Sequence, residues 1–508
     1  MRHELCVRRN TIERSQSRKR KPLAALAASI LLAGLALIGA RGARAQAKHT
    51  NAAAQTESAA AKVDQYIAQQ MKEQRIPGLS LAVVQDGKII KAKGYGYADL
   101  EFNAPVTPET IFESGSIGKQ FTATAVMMLV EEGKIGLEDK ITKYFPDAPA
   151  SWNDITIRNL LSHESGIKNY TGEGDIDFRK DYTEDELLRL AEKPPLDFAP
   201  GTDWNYSNTG FITLGFLIHK VTGEFYGDFL RERIFAPLGM KTRIISEPDI
   251  IPNRASGYKL VKGQWNNQDW VSPTLNTTAD GSLYFTTLDL AKWDAALYTT
   301  KLLKQSSLDE MWTVQPYTAG PNKGKPNKGN YGFGWEITSV NGHRLISHDG
   351  AWQGFTTAIC RYVNDKLTTI VLTNLDSAHS NPDIIARTVA GFYVPAVAPP
   401  PPPKPIADNE PNVTALLKNV LGQLRDGKLD LSAFTSDQQK AFNQSMQKAA
   451  KGFLDDEGEL EKLDLLSRKE ESGQRTYRYR AHFAYGTLNL SLRLTSDSKI
   501  AGLGFGVD

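Results

Sequence analysis

The chain has 508 residues, with 60 Lys/Arg against 58 Asp/Glu and a formal charge of +2. The first 45 residues hold ten of those cations and two of the acids, so the rest of the chain carries −6 and has no basic surplus for a nucleic-acid partner. Cys6 lies in that leader and Cys360 stands alone beyond it, which excludes an intramolecular disulfide, and the eight histidines show no ligand spacing, so neither a metal nor another cofactor is expected.

The leader itself has a basic stretch (Arg18, Lys19, Arg20, Lys21), the apolar run "LAALAASILLAGLALIGA" and the small-residue site Ala43-Arg44-Ala45. Residues 1–45 therefore read as a secretory signal peptide, with a periplasmic or secreted destination and no integral membrane span once it is removed. An uncleaved anchor is the alternative, because the apolar run is near the length that crosses a bilayer. After a polar, Ala-rich spacer, an amphipathic helix leads to "GLSLAVVQDGKIIKAKGYGYAD", two β-type runs joined at Asp86-Gly87, a hairpin signature.

The next segment, "FESGSIGKQFTATAVMMLVEEGKI", passes from a small-residue turn into an apolar helix and places Ser116 and Lys119 three apart, on one helical face. A lysine there can take the serine proton while the helix N-terminus favours negative charge on the oxygen. An N-cap serine followed by a solvated lysine is the competing reading. Two decoys, Ser445 with Lys448 and Ser496 with Lys499, fall in a helix and in a turn between strands, so neither stands at a turn-to-helix join.

A long middle of short helical patterns and Gly/Pro loops follows, to about residue 325. Then "YGFGWEITSV-NG-HRLISHDG" and "GFTTAICRYV-ND-KLTTIVLTN" predict four strands as two hairpins, with Cys360 a small core residue, and "DIIARTVAGFY" a closing helix. Strands at both ends of a region with helices between them predict an antiparallel sheet assembled from the two ends. The stretch "VPAVAPPPPPKP" can form little except a stiff polyproline spacer and marks a boundary. Beyond it, helical patterns give way to the alternating runs "TYRYRAHFAYG" and "TLNLSLRLT". The expected organisation is a signal peptide (1–45), a hydrolase domain (46–395), a Pro-rich linker (396–406) and a small α+β accessory domain (407–508).

Two more motifs accompany Ser116 and Lys119: Tyr206-Ser207-Asn208 in a loop before an apolar helix, and His348-Asp349-Gly350 at a strand end. Together with the flanks "LLSHESGI", "PGTDWNYSN", "ADGSLYFTTLDLAKW" and "HDGAWQGF", the set resembles the serine hydrolases of the class C β-lactamase and DD-peptidase group, over roughly residues 60–395. The resemblance implies the penicillin-recognising fold, of α/β (α+β) class: an antiparallel sheet flanked by helices plus a helical subdomain. It also implies an acyl-enzyme mechanism on a small-molecule or peptide substrate, an amide, ester or lactam. Ser116 would be the nucleophile, and neutral Lys119 or a Tyr206 phenolate, its pKa lowered by the ammonium, the base. The N–H groups of Ser116 and Ala351 would form the oxyanion hole. Asn208 would hold Lys119 or a substrate amide, and His348, Asp349 and Gly350 would line the substrate site. A D-amino-acid peptidase or β-lactamase acting on cell-wall peptides or β-lactams is a second reading, and a non-catalytic binding protein a third. Many β-lactamases have Lys-Thr-Gly where this chain has His348-Asp349-Gly350. If Asp349 faces the pocket, its carboxylate repels an anionic substrate.

Overall fold

The computed structural model describes residues 59–171, 176–244, 249–471 and 473–506. The leader assigned to residues 1–45 lies outside them. Apart from the start of the first helix, α1 (59–73), all described residues belong to one compact unit, Lys62–Asp508. None of the described helices is long and apolar enough to cross a membrane.

Strands β1 (Gly78–Gln85) and β2 (Lys88–Asp99) turn at Asp86-Gly87, where φ is +50° and +72°. A two-residue hairpin needs positive φ at both positions, which aspartate tolerates and glycine adopts freely. The four later strands are β4 (Glu336–Val340), β5 (His343–Trp352), β6 (Phe355–Tyr362) and β7 (Leu367–Thr373). They are not two separate hairpins, because a further two-residue turn at Gln353-Gly354 links β5 to β6 and makes one meander. Strand β7 pairs with β1, so the two ends of the region close a seven-stranded sheet in the order β3-β2-β1-β7-β6-β5-β4, where β3 is Ala104–Pro105.

Each face of this sheet has its own core. Ile346, Ile359 and Ile370 pack against the helical region around α2 (Lys119–Glu131) and α3 (Asn208–Thr222). Leu345, Ala358 and Cys360 pack on the other face, against α1 and α4 (Pro382–Tyr393). Helix α2 is buried on every side from Lys119 to Leu129, which explains why its sequence is apolar all round rather than striped.

One buried ion pair crosses the larger core. Arg361 is fully enclosed, its Nε 2.7 Å from Asp294, with Thr368 donating to the same oxygen and the Tyr298, Trp312 and Trp335 rings around the guanidinium. Removing one partner leaves an uncompensated buried charge. Asp294→Ala is therefore expected to lower the unfolding free energy by about 3–5 kcal/mol, to be read from denaturant titration.

The C-terminal β domain is a second layered body. Helices α5 (Pro411–Arg425) and α6 (Gln444–Glu457) cover a meander of β8 (Leu460–Glu471), β9 (Gln474–Phe483), β10 (Gly486–Leu494) and β11 (Ile500–Gly506). Only β9 and β10 were legible in advance. Charged residues interrupt the alternation of "LEKLDLLSRKEE", and glycines thin out "IAGLGFG". Ser445 lies within α6, and Ser496 and Lys499 in the turn before β11, as the sequence indicated. The Pro-rich segment is not a free-standing spacer: Val397 is buried, Ile406 N–H donates to Leu465 O, and Pro403 O accepts from Arg480.

Candidate active site

Ser116 stands in a 3₁₀ turn, Gly115–Gly118, that feeds directly into α2. The turn is fixed from both sides. Ser114 donates to Gly281 O (2.9 Å) and accepts from Leu283 N–H, while its carbonyl accepts from the Thr357 hydroxyl of β6 (2.7 Å). Gly115 sits at φ +51°, and a Cβ there would lie 2.5 Å from Ala351 N, so the close approach of turn and strand requires glycine.

Lys119 is fully buried, and its ammonium donates to Ser116 Oγ (3.0 Å), Asn208 Oδ1 (2.7 Å) and the carbonyl of Asp280 (2.5 Å). All three N–H bonds of the charged form are thereby used. Burial pulls its pKa down to about 8, against the opposing pull of the Asp280 and Asp349 carboxylates. On losing a proton the amine directs a lone pair at one of these acceptors, and the serine hydroxyl is the one that can supply a proton in return.

Tyr206 arrives from the loop before α3, with Lys119 Nζ 4.9 Å from its ring centre. Its oxygen is buried and has no hydrogen-bond partner among the described residues. Burial raises its pKa well above that of a free phenol, an effect that the nearby Ser116 offsets only in part. That direction runs against the phenolate with a lowered pKa that the resemblance implied. Asn208 is the first residue of α3 and Ser207 its cap. The Asn208 Oδ1 accepts from Lys119 and its Nδ2 donates to Thr171.

On β5, His348 lies opposite Ile359 and turns to the helical side, where its Nε2 accepts from the Tyr331 hydroxyl (2.7 Å) and its Nδ1 donates to Asp349 O (2.6 Å). Burial takes its pKa down to about 3, so it is a neutral, fixed acceptor. Gly350 touches the serine turn: a Cβ would meet Ser114 O at 2.4 Å and Ser116 N at 2.8 Å.

Asp349 contradicts the expectation placed on it. It pairs opposite Ala358, and strand alternation sends its side chain to the other face of the sheet, toward Asp383 and Arg387 of α4. It borders a cavity there. The serine cleft is lined instead by Ser116, Tyr170, Asn208, Asp280, Ala351 and Trp352, among others.

Sequence reasoning missed Asp280, Tyr170 and Tyr331. Asp280 is buried and accepts from the Tyr170 hydroxyl (3.0 Å) through one oxygen, while the other has no partner among the described residues. No periodicity or spacing distinguishes these three residues. Cys360 is buried in β6, its thiol pKa raised by burial, as befits an unreactive core residue.

The family described as Beta-lactamase matches residues 63–391. Penicillin-binding protein 4* of Bacillus subtilis (strain 168) is 30% identical over 312 residues, 58% of this chain and 67% of the relative. Unguisins hydrolase ungD' of Aspergillus campestris is 31% identical over 328 residues, 60% of each. The chain thus spans about two thirds or less of these relatives' length. Among solved structures, the octameric penicillin-binding protein homologue from Pyrococcus abyssi is similar with a TM-score of 0.57 at 26% identity, over 85% of this chain and 90% of that one. D-amino acid amidase from Ochrobactrum anthropi SV3 is similar with a TM-score of 0.55 at 27% identity, over 67% of this chain and 98% of that one.

Proposed function

The chain belongs to the Beta-lactamase family and has the penicillin-recognising fold, and on that premise we propose that it is an exported serine hydrolase acting through an acyl-enzyme, with peptides or amides of D-amino acids its favoured substrates. The observation that carries the reading is the buried Lys119 amine, with its lowered pKa, 3.0 Å from the Ser116 hydroxyl. Ser116 Oγ attacks the carbonyl carbon as its proton passes to neutral Lys119. The N–H groups of Ser116 and Ala351 receive the oxyanion. Protonated Tyr206 relays a proton from Lys119 to the departing amine or alcohol, and water then repeats the sequence on the ester. Asn208 keeps Lys119 aimed, and Tyr331 with His348 supports the strand that carries Ala351. The D-amino acid amidase likeness favours this substrate class. The neutral His348, where many β-lactamases carry lysine, disfavours efficient capture of a β-lactam carboxylate. The tail, from residue 407, is an accessory domain in this reading. Intact-mass analysis after separate treatment with a fluorophosphonate and a penicillin tests it: one adduct at Ser116 is expected with the former, and an adduct elsewhere ends the proposal.

The pH dependence follows from Lys119. As pH rises through about 8 the amine becomes the neutral base, so kcat/KM on an uncharged ester is expected to rise over that range. The Asp280 carboxylate favours the ammonium and holds this pKa up. Asp280→Asn is therefore expected to shift the rising limb to lower pH, and an unmoved limb would assign the titration to another group.

A further inference from the structure

A cavity of about 1170 Å³ lies on the opposite side of β5 from the serine cleft, between α4, the Pro-rich strap and the C-terminal domain. Its volume is somewhat above the roughly 300–1,000 Å³ usual for small-molecule sites. The cavity borders Asp349, Gly350 and Ala351 and so shares Ala351 with the serine cleft, while Ser116 is not among its lining residues. A buried His379–Glu457 contact of 2.8 Å pins the C-terminal domain to the body, and His379 packs where a side chain on Gly486 would stand, 2.0 Å from a Cβ. The cavity is thus bounded by docked surfaces.

Its two walls carry opposite charge. On the body side Asp349 and Asp383 face it, and Arg387 is already paired with Asp383 at 2.7 Å. Glu336 is half-buried nearby, its carboxyl pKa raised to about 7 by loss of solvent first and then by Asp349 and Asp383. That wall is short of positive charge. On the other side Arg478 and Arg480 project from one face of β9, since Tyr477, Tyr479 and Ala481 fill the domain's own core. Asn489 lies opposite Arg480 in register, and its side-chain oxygen is buried without a hydrogen-bond partner among the described residues. An unpaired polar group in such a place costs free energy that a ligand N–H recovers.

We infer that this cavity is a second binding site, for a short peptide bearing both a free ammonium and a free carboxylate, the ammonium toward Asp349 and Asp383 and the carboxylate toward Arg480. A ligand of one charge answers only one wall, and an uncharged one answers neither. The Tyr66 and Phe392 rings, packed edge to face at 5.6 Å, together with the prolines, provide apolar surface between the charged ends. The inference does not depend on the hydrolase reading, because neither Asp383 nor Arg480 lines the serine cleft.

Isothermal titration of the full chain with triglycine, N-acetyltriglycine and triglycine amide tests it, with chirality removed as a variable. Saturable binding of triglycine is expected, at least tenfold tighter than either capped form, and at least tenfold weaker in Arg480→Ala and in Asp349→Asn. Labelling of Ser116 by a fluorophosphonate is expected to be unchanged in Arg480→Ala. No binding at millimolar triglycine would make the cavity a water-filled seam and overturn the proposal. Equal binding of the capped forms would overturn it as well, a result that stands even if a variant fails to fold. Binding that survives Arg480→Ala unchanged would place the peptide elsewhere, in the serine cleft for example.

Discussion

Ser116→Ala is expected to lower kcat/KM on an activated ester by at least about 10³-fold, roughly 4 kcal/mol of transition-state stabilisation, and to abolish the covalent adduct. The substitution removes one oxygen from a site whose other parts stay in place: Lys119 keeps Asn208 Oδ1 and the Asp280 carbonyl as acceptors, and the turn keeps its ties through Ser114. Stability should change little, since the hydroxyl is partly open to the cleft. A variant that folds normally and still labels or turns over at the native rate would assign the chemistry to another residue. Lys119→Met separates the roles further. It is expected to retain a slow adduct with a highly reactive phosphonate while losing ester turnover, because the nucleophile is present and its base is not.

Gly350→Ala is the second large effect, and only the structure makes it visible. The added methyl would stand 2.4 Å from Ser114 O, 2.5 Å from the Thr357 hydroxyl and 2.8 Å from Ser116 N. Two of these are backbone atoms, so strand and turn must part, and the N–H groups of Ser116 and Ala351 move off a common point. Loss of one oxyanion donor costs on the order of 100-fold or more in kcat, and overpacking adds about 1–3 kcal/mol of destabilisation. A fall in kcat, with the fluorophosphonate adduct formed more slowly but still at Ser116, is the expected pattern. A native rate would mean that Ala351 N–H does not serve the oxyanion.

How much of this was legible beforehand depends on the range of the interaction. The Asp86-Gly87 hairpin, the α2 helix with Ser116 and Lys119 on one face at its start, and the tail's β9 and β10 are written in residues that neighbour one another in the chain, where spacing alone sets which side chains share a side. The motifs of Tyr206, Asn208 and His348 were readable because together they resemble a known family, and the structure brings them around Ser116 and Lys119. Asp349 was misjudged because the resemblance implied a pocket-facing side chain, whereas its register opposite Ala358 turns that side chain toward α4. The ionisation of Lys119 and Tyr206 was beyond the sequence for a different reason. Lys119 meets Asn208 across 89 residues and the Asp280 carbonyl across 161, and burial, which only the closed fold produces, outweighs the charges that the sequence makes obvious. The sequence by itself determined which chemical groups are available and which local turns present them. The tertiary structure alone decided which face each group takes, how much water it keeps and therefore which of them holds a proton, because strand register and desolvation are set by contacts between segments far apart in the chain.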